Sequence, residues 1–411
     1  MQHTTTPLEP TLAHKEALNF GAGPAILPQT VLKQVQAELL NYAGTGCSIM
    51  ELSHRSAEFM QLVDKATADL HRLLAIPDTY KVLFMQGGGS TQFAAVVYNL
   101  AGSLSKPVDY VVTGVWSDKA AQEAQHLGAS VNIVYSTKAA GHNGSLPLTD
   151  HSVASTALPA AHALQFSAGG ASYVYYCDNE TVNGVELPTD FVDLLSSACP
   201  NVPIVCDMSS NILSRPFDIT KYGLVFGGAQ KNVGPAGVTI VIVRQDLLDD
   251  ATRRGSLSPA LGLITPTMLD YKVCADNSSL YNTPPTFAIY VAALVFEWLL
   301  SVGGVDAMAE ASHRKSTLLY DTIADLDEFY KCAVMPGMRS RINVPFRIMR
   351  KGMPAPDLER LFIAESESKG MMQLKGHRSV GGIRASMYNA LPVDAVECLV
   401  EFMRDFAKRH G

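Results

Sequence analysis

A single lysine, Lys231, lies in a run of small residues that leaves its side chain unusually accessible. The run, GGAQKNVG at 227–234, follows a short apolar strand at 224–226 and precedes a second glycine-rich turn. A flat cofactor can reach such an amine because no bulky neighbour blocks it, and burial lowers the pKa of the amine. The pattern indicates a lysine that forms a Schiff base with pyridoxal phosphate. A phosphate-binding lysine and a plain turn residue are the alternatives that this segment leaves open.

A second glycine-rich segment, QGGGSTQ at 86–92, joins a predicted strand at 81–85 to a predicted helix at 93–100. Glycines let backbone N–H groups converge on a phosphate, and the helix N-terminus adds partial positive charge. The hydroxyls of Ser90 and Thr91 would add two donors. The segment matches neither a P-loop nor the GxGxxG of dinucleotide sites. It therefore predicts a different phosphate cradle or, alternatively, a tight strand-to-helix turn.

Three further side chains follow apolar strands, where open α/β sheets place their ligand contacts. Asp207 ends the apolar run 203–206 and would pair with a protonated pyridine nitrogen, unless it only caps a helix or turn. Trp116 would stack on a flat ring, unless it is an ordinary core aromatic. The hydroxyl of Thr181 would bind the phenolic oxygen of the cofactor, or it stabilises a turn.

Two basic clusters lie near glycine-rich turns of an acidic chain. They are His54-Arg55 and His377-Arg378, the latter followed by Arg384. Because arginine binds carboxylates and phosphates through paired hydrogen bonds, the clusters predict a doubly anionic ligand. The alternative is solvated surface charge.

Composition excludes several classes of protein. The net charge of −7 argues against nucleic-acid and anionic-membrane partners. No window approaches the roughly 20 apolar residues of a membrane helix. Seven cysteines without a C-x-x-C pair indicate reduced thiols and no metal site. The first eighteen residues lack arginine and contain Glu9 and Glu16, unlike a targeting signal, so the expected location is cytoplasmic.

Apolar runs of strand length alternate with helical patterns along most of the chain. Most of these runs are continuous, which is typical of strands buried on both faces. The predicted fold is α/β, a large domain with a mostly parallel, doubly wound sheet. Beyond residue 301 the pattern changes to a smaller α+β C-terminal domain. The predicted division is an N-terminal arm and substrate-site segment at 1–27, a large domain at 28–300 and a small domain at 301–411, with a surface excursion at 138–170.

Taken together, the chemistry-bearing segments resemble those of the phosphoserine aminotransferase family, which belongs to the class V aminotransferases of pyridoxal-phosphate fold-type I. The similarity spans residues 19–411. The most specific segments are NFGAGPA at 19–25, SHR at 53–55, GGAQKNVGPAG at 227–237, YNTPP at 281–285 and KGHRSVGGIRAS at 375–386.

The resemblance implies a role for each candidate residue. Lys231 and Asp207 would be catalytic, and Arg384 would bind the substrate α-carboxylate. Asn282 and Thr283 would reach the cofactor phosphate from the other subunit of a homodimer with shared active sites. The cofactor-binding set would be Gly89, Ser90, Thr91, Trp116, Thr181, Asp207, Gln230, Lys231, Asn282 and Thr283. The distal phosphate, or the side-chain carboxylate of glutamate, would be bound by His54, Arg55, His377 and Arg378.

The reaction implied by the resemblance is amino-group transfer between glutamate and 3-phosphohydroxypyruvate, which gives O-phosphoserine and 2-oxoglutarate in serine biosynthesis. A second substrate, 4-phosphooxy-threonine of vitamin B6 biosynthesis, stays open. The alternatives are another class V enzyme, either a small-molecule aminotransferase or a lyase, and a non-catalytic phosphate-binding protein. Two departures stand out, because Ser90 and Ala22 replace an arginine and a serine of some family members. Cofactor phosphate charge would then rest more on backbone amides.

Overall fold

The structure is a computed structural model that describes residues 17–137, 164–250 and 264–411. Within these ranges the strands, in chain order, are β1 (Leu18–Asn19), β2 (Tyr80–Met85), β3 (Val108–Val112), β4 (Val131–Ser136), β5 (Val174–Cys177), β6 (Asn179–Glu180), β7 (Val185–Glu186), β8 (Ile204–Asp207), β9 (Leu224–Gly228), β10 (Thr239–Arg244), β11 (Tyr330–Lys331), β12 (Asn343–Arg350), β13 (Met353–Pro354), β14 (Met371–Met372) and β15 (Ile383–Ser386). The helices are α1 (Gln29–Glu38), α2 (Ala57–Leu74), α3 (Gly88–Leu100), α4 (Val115–His126), α5 (Phe191–Ala198), α6 (Gln245–Asp249), α7 (Tyr271–Asp276), α8 (Thr286–Ser301), α9 (Gly304–Asp325), α10 (Pro356–Ser368) and α11 (Val393–His410).

The apolar runs predicted as buried strands form one sheet of seven strands, in the order β2-β10-β9-β8-β5-β3-β4. Strands β9, β8, β5, β3 and β4 pair in parallel, and β10 is antiparallel to both of its neighbours. The prediction of a mostly parallel α/β sheet is confirmed. Because parallel strands end at the same edge, the residues after β8 and β9 are brought together there.

Two hydrophobic cores cover the two faces of this sheet. Successive strand residues point to opposite faces, so Val111 belongs to one core and Tyr110 to the other. The first core includes the apolar stripe of α2 and most of α8. The second includes α3 and the alanines of α4. The continuous apolar character of the strands follows from this double coverage.

Helix α8 is apolar around its whole circumference because α1 and α2 pack against it. No single helix in the described ranges is long and apolar enough to cross a membrane, although α8 and α9, bent by 82° at their junction, pass that test as a pair on length and composition.

A smaller antiparallel sheet lies in the C-terminal part of the chain. Its strand β12 lies between β11 and β15, and the C-terminal end of β12 pairs with β13. It shares a hydrophobic core with residues of α9, α10 and α11. The N-terminal segment joins this core, since β1 pairs with β14 and Phe20 is fully buried there. The smaller α+β unit is confirmed, whereas the division at 27/28 and 300/301 stays a prediction. Residues 138–163 of the predicted excursion lie outside the described ranges.

Lys315 of α9 is buried in this second unit, with 1% of its surface exposed. Its Nζ donates hydrogen bonds to the carbonyl oxygens of Met387, Tyr388 and Leu391, at 3.1, 2.8 and 2.9 Å. The lysine therefore holds the segment that follows β15. Burial lowers the pKa of Lys315 from 10.5 to about 7.

This lowered pKa predicts a stability that rises with pH. Between pH 7 and 10.5 the unfolded chain binds more protons at Lys315 than the folded chain, so alkali favours the folded state. Relative to a Lys315→Met variant, the wild type should gain about 2 kcal/mol of unfolding free energy between pH 7 and pH 9. Urea unfolding of both proteins at the two pH values measures the difference. The control is Lys331→Met, at a half-exposed lysine on β11; if it and Lys315→Met respond alike, the prediction is wrong.

Candidate active site

Lys231 lies in the turn that follows β9 and is 9% exposed. Its Nζ donates a hydrogen bond of 2.6 Å to Oγ1 of Thr181, which lies in the turn between β6 and β7. Burial lowers the pKa of Lys231, and the nearby Asp207 carboxylate only partly opposes this. The site therefore contains an amine that loses its proton more readily than a surface lysine.

Asp207 is the last residue of β8 and lies beside Lys231 because β8 and β9 are parallel neighbours. It is 4% exposed, and one of its carboxylate oxygens accepts a 2.8 Å hydrogen bond from the Ser209 backbone. Burial raises the pKa of Asp207, while the hydrogen bonds from Ser209 and the Lys231 amine act against the rise. The structure thus brings the predicted base and the predicted pyridine partner to one edge of the sheet.

Helix α3 begins at Gly88, five residues earlier than the sequence predicts. Gly87, at φ +91°, turns the chain into the helix, and the Gly88 N–H donates to Thr239 Oγ1 on β10 at 2.9 Å. A Cβ placed on Gly89 would lie 3.8 Å from an Asp207 carboxylate oxygen. The first turn of α3 therefore faces the Asp207 end of the sheet, as a phosphate cradle requires. Thr91 uses its hydroxyl proton within this turn, donating to the Gly87 carbonyl at 3.0 Å.

Trp116 lies in the first turn of α4, with its ring centroid 5.9 Å from Nζ of Lys231. The indole Nε1 is buried and has no hydrogen-bond partner among the described residues. On the same ring lies Nζ of Lys119, 4.6 Å from the centroid. The ring that the sequence proposes as a stacking surface is thus beside the reactive lysine.

The N-terminal segment lies over the lysine turn. The backbone N–H of Ala25 donates to the carbonyl of Gln230 at 2.8 Å, and a Cβ on Gly23 would lie 3.5 Å from Lys231 side-chain carbon. The Tyr388 hydroxyl donates to the carbonyl of Ala22 at 2.9 Å. Segment 19–25, which carries part of the family resemblance, is therefore part of the wall of the site.

Arg384 on β15 extends the site into the smaller unit. Its Nη1 donates to the carbonyl of Thr181 at 3.3 Å, so the guanidinium lies on the same turn that binds Lys231. Burial lowers the pKa of Arg384, and no ion pair joins it to a carboxylate in the ranges that the structure describes. A partly buried guanidinium without a counter-ion is a site for an external carboxylate.

His377 and Arg378 lie close to Arg384. Burial lowers the pKa of His377, and the positive charges of Arg384, Arg378 and Lys119 lower it further. Arg378, Arg384 and Lys119 therefore form a positively charged group around His377, and Lys119 also lies over the Trp116 ring. Sequence reasoning missed Lys119, although its position three residues after Trp116 on a helix places it on the same face.

The structure does not join the other predicted residues to Lys231 within one chain. Arg55 is exposed just before α2, and the buried Nε2 of His54 has no hydrogen-bond partner among the described residues. Asn282 lines a cavity of about 270 Å³ with Gly87, and its Oδ1 accepts a long 3.5 Å hydrogen bond from Gln86. Thr283 is exposed beside it.

A buried series of side-chain hydrogen bonds, which the sequence did not reveal, joins the β6–β7 hairpin to the smaller antiparallel sheet. Asn179 donates from Nδ2 to Oδ1 of Asn343 at 2.8 Å, and Asn343 donates from Nδ2 to the Tyr388 hydroxyl at 3.2 Å. Asn179 precedes the turn of Thr181, and Tyr388 follows the strand of Arg384. These hydrogen bonds therefore fix the distance between the turn that binds Lys231 and the strand that carries Arg384.

Comparison with known proteins identifies the family of the chain. The sequence profile of the class V aminotransferases matches residues 17–399. A phosphoserine aminotransferase of Nitrosomonas europaea is 47% identical over 398 residues, which is 97% of this chain and 100% of that protein. The solved phosphoserine aminotransferase of Bacillus circulans subsp. alkalophilus is 41% identical with a TM-score of 0.83, covering 96% of this chain and 99% of that one.

A second solved structure, the PLP-bound phosphoserine aminotransferase from Trichomonas vaginalis, is 37% identical with a TM-score of 0.81, covering 94% and 99% of the two chains. These matches extend over nearly the whole sequence and include the segments that carry the site. The chain therefore belongs to the class V aminotransferase family, and within it to the phosphoserine aminotransferases.

Proposed function

We propose that this chain transfers an amino group reversibly between glutamate and 3-phosphohydroxypyruvate, with pyridoxal phosphate bound through Lys231. The observation that carries the proposal is the meeting of three groups. Buried Lys231 and buried Asp207 lie at one edge of the large sheet, and the guanidinium of Arg384, from the smaller sheet, contacts the same turn as the lysine. These three groups are the ones that an aminotransferase needs for its cofactor and for an amino acid. The place of the reaction in serine biosynthesis is part of the proposal.

The residues at this edge fit pyridoxal phosphate. Gly89, in the first turn of α3, leaves open the space beside Asp207 that a Cβ would fill, and the N-terminus of a helix favours a phosphate. The partly buried indole of Trp116 offers an aromatic face close to Lys231. When bound, the cofactor would supply an electron sink for the bonds at the substrate α-carbon. The proposal assigns Ser90, Thr91 and Gln230 to its phosphate.

Lys231 would act as the proton carrier of the reaction. Its lowered pKa increases the fraction of neutral amine at neutral pH, so that Nζ can accept the proton of the substrate α-carbon and later return it. The hydroxyl of Thr181 holds Nζ by a 2.6 Å hydrogen bond. Asp207, as a buried carboxylate, would hold a proton on the pyridine nitrogen.

Arg384 would bind the α-carboxylate that both substrates share. Within the described ranges, the one hydrogen bond of its guanidinium goes to the Thr181 carbonyl, so the remaining N–H groups can bind a carboxylate with two hydrogen bonds. His377 and Arg378 lie farther out and would bind the distal phosphate or the side-chain carboxylate of glutamate. One positively charged group thus serves two anionic substrates.

We further propose a homodimer with shared active sites. The proposal rests on four assigned residues, His54, Arg55, Asn282 and Thr283, which no contact joins to Lys231 in the described ranges. A second copy would supply them to the cofactor phosphate and to the substrate anion. A cytoplasmic location, supported by seven free cysteine thiols, is also proposed.

The test is a glutamate-dependent assay that compares 3-phosphohydroxypyruvate with unphosphorylated hydroxypyruvate. Loss of the phosphate removes charge-assisted hydrogen bonds to His377, Arg378 and their partners. We expect kcat/KM to fall by a factor on the order of 10²–10³. The glutamate half-reaction, followed without a keto acid, is the control and should be unaffected. Equal kcat/KM values for the two keto acids would contradict the phosphate pocket while leaving the aminotransferase reaction intact.

A further inference from the structure

Glu180, which precedes the Thr181 turn, is a buried carboxylate whose hydrogen-bond partners lie on a distant helix. Its side chain is 0% exposed. One carboxylate oxygen accepts from the Trp116 backbone N–H at 2.9 Å, and the other accepts from the N–H and hydroxyl of Ser117 at 2.8 and 2.6 Å. Glu180 thus binds the first turn of α4, where free N–H groups and the helix dipole favour a negative charge.

The neighbouring acidic residues of the same hairpin are paired differently. Asp178 binds Arg215 at 2.5 Å, and Glu186 binds Arg341 at 2.6 Å. Glu180 forms no ion pair with a lysine or arginine within the described parts of the chain. Its charge is therefore balanced by the main chain of α4. Asp178 and Glu186 attach the hairpin to Arg215 and Arg341, whereas Glu180 attaches it to the helix that carries Trp116.

Close packing also fixes the position of the hairpin relative to the start of α4. A Cβ placed on Gly114, just before α4, would lie 2.6 Å from the Glu180 carboxyl carbon and 2.6 Å from Asn183 Oδ1. The Asn183 oxygen accepts from the Val115 N–H at 3.0 Å. The hairpin turn and the start of α4 therefore touch through a glycine that permits the contact. A shift of either element would break several hydrogen bonds together.

Glu180 is linked to the lysine through the next residue in the chain, Thr181. The hydroxyl of Thr181 binds Lys231, and its carbonyl binds Arg384. Glu180, the preceding residue, holds the backbone of Trp116. We propose that Glu180 is a positioning residue that sets the ring of Trp116 relative to Lys231, and so fixes the face on which the cofactor ring stacks. This inference rests on the proposed function, because it takes Trp116 as the stacking residue.

The first test uses the apoprotein. The chain has two tryptophans, so a Trp298→Phe background leaves Trp116 as the only indole reporter. In that background E180Q keeps the shape of the side chain but replaces one acceptor oxygen with a donor that faces N–H groups. We expect the Trp116 emission to shift to the red and its quenching by acrylamide to increase. E180D, which keeps both acceptor oxygens, should restore part of the original emission.

The second test measures the dissociation constant for pyridoxal phosphate by reconstitution of the apoprotein. We expect E180Q to raise it roughly 10-fold, because charge-assisted hydrogen bonds that place the ring are lost. E186Q is the matched control, since it removes a buried carboxylate of the same hairpin that binds arginines. It should leave Trp116 emission and cofactor affinity unchanged.

Two results would overturn the proposal. The first is an E180Q variant with the emission and the cofactor affinity of the wild type. The second is an equal change in E180Q and E186Q, which would indicate a general effect on the hairpin. If E180Q fails to fold, E180D is compared with E186Q on the same readouts, and an unchanged E180D emission and affinity overturns the proposal. If the wild-type apoprotein takes up no pyridoxal phosphate, the proposed function fails, whereas the Trp116 emission still decides whether Glu180 positions α4.

Discussion

Replacement of Lys231 with alanine is expected to lower kcat for amino transfer by roughly 10⁴-fold, because the variant loses both the covalent attachment and the proton carrier. No other lysine within hydrogen-bond reach of Thr181 is seen in the described ranges, so no neighbour can take over. Steady-state assays with glutamate and 3-phosphohydroxypyruvate measure the loss. Mass spectrometry after borohydride reduction should find the cofactor on the Lys231 peptide of the wild type and not in the variant.

Two further measurements sharpen this result. Methylamine in the buffer should restore part of the rate of Lys231→Ala, because a small amine fits the space of the missing side chain and can carry the proton. A variant at an exposed lysine, Lys221→Ala, which loses only a surface pair with Asp193, should retain full activity. Wild-type kcat in Lys231→Ala would overturn the proposed mechanism.

Asp207→Asn is expected to lower kcat by about 10²–10³-fold, equivalent to about 3–4 kcal/mol. The amide has nearly the shape of the carboxylate and can keep the hydrogen bond to Ser209, but it carries no charge to hold a proton on the pyridine nitrogen. Bound pyridoxal phosphate would then be a weaker electron sink, and Lys231 would remove the substrate α-proton more slowly. Single-turnover absorbance changes with glutamate measure the chemical step directly.

The matched control for this variant is Asp178→Asn. Asp178 is also a buried carboxylate near a strand end, but it pairs with Arg215 away from Lys231. Loss of that pair should lower the unfolding free energy by about 3–5 kcal/mol and leave the single-turnover rate of the folded protein unchanged. An Asp207→Asn rate equal to that of Asp178→Asn would show that Asp207 has no role in the chemical step.

The meeting of Lys231 and Asp207 could be predicted from the sequence, because each follows a continuous apolar run and parallel strands end at one edge. The start of α3 at Gly88 could not be predicted in this way. Glycines have low helix propensity, which suggests a helix from Phe93, yet the contact of Gly88 with Thr239 of β10 stabilises an earlier start. Such a tertiary contact between residues far apart in the chain leaves no local signal.

The buried position of Lys315 could not be predicted either, because lysine is usually exposed. Lys315 shares the buried side of α9 with Met308, Leu319 and Ile323, at spacings of seven, four and four residues. Its charge nevertheless suggests a solvent-exposed position, because a buried lysine is stable only where carbonyl groups converge on it. Those carbonyls belong to residues 387–391, and the sequence does not show that this segment turns back onto α9.

The amide chain from Asn179 through Asn343 to Tyr388 has a consequence for how the enzyme assembles. One end, Asn179, lies in the β6–β7 hairpin, whose Val185 belongs to the first hydrophobic core. The other end, Tyr388, follows β15, which belongs to the core of the smaller unit. The hydrogen bonds between these ends form only when the two cores are docked. Docking is therefore the step that creates a competent site. During denaturation, amino transfer should disappear as soon as the two cores separate, while each still retains its helices and strands. Loss of activity would then measure the separation of the two cores and not the unfolding of either one.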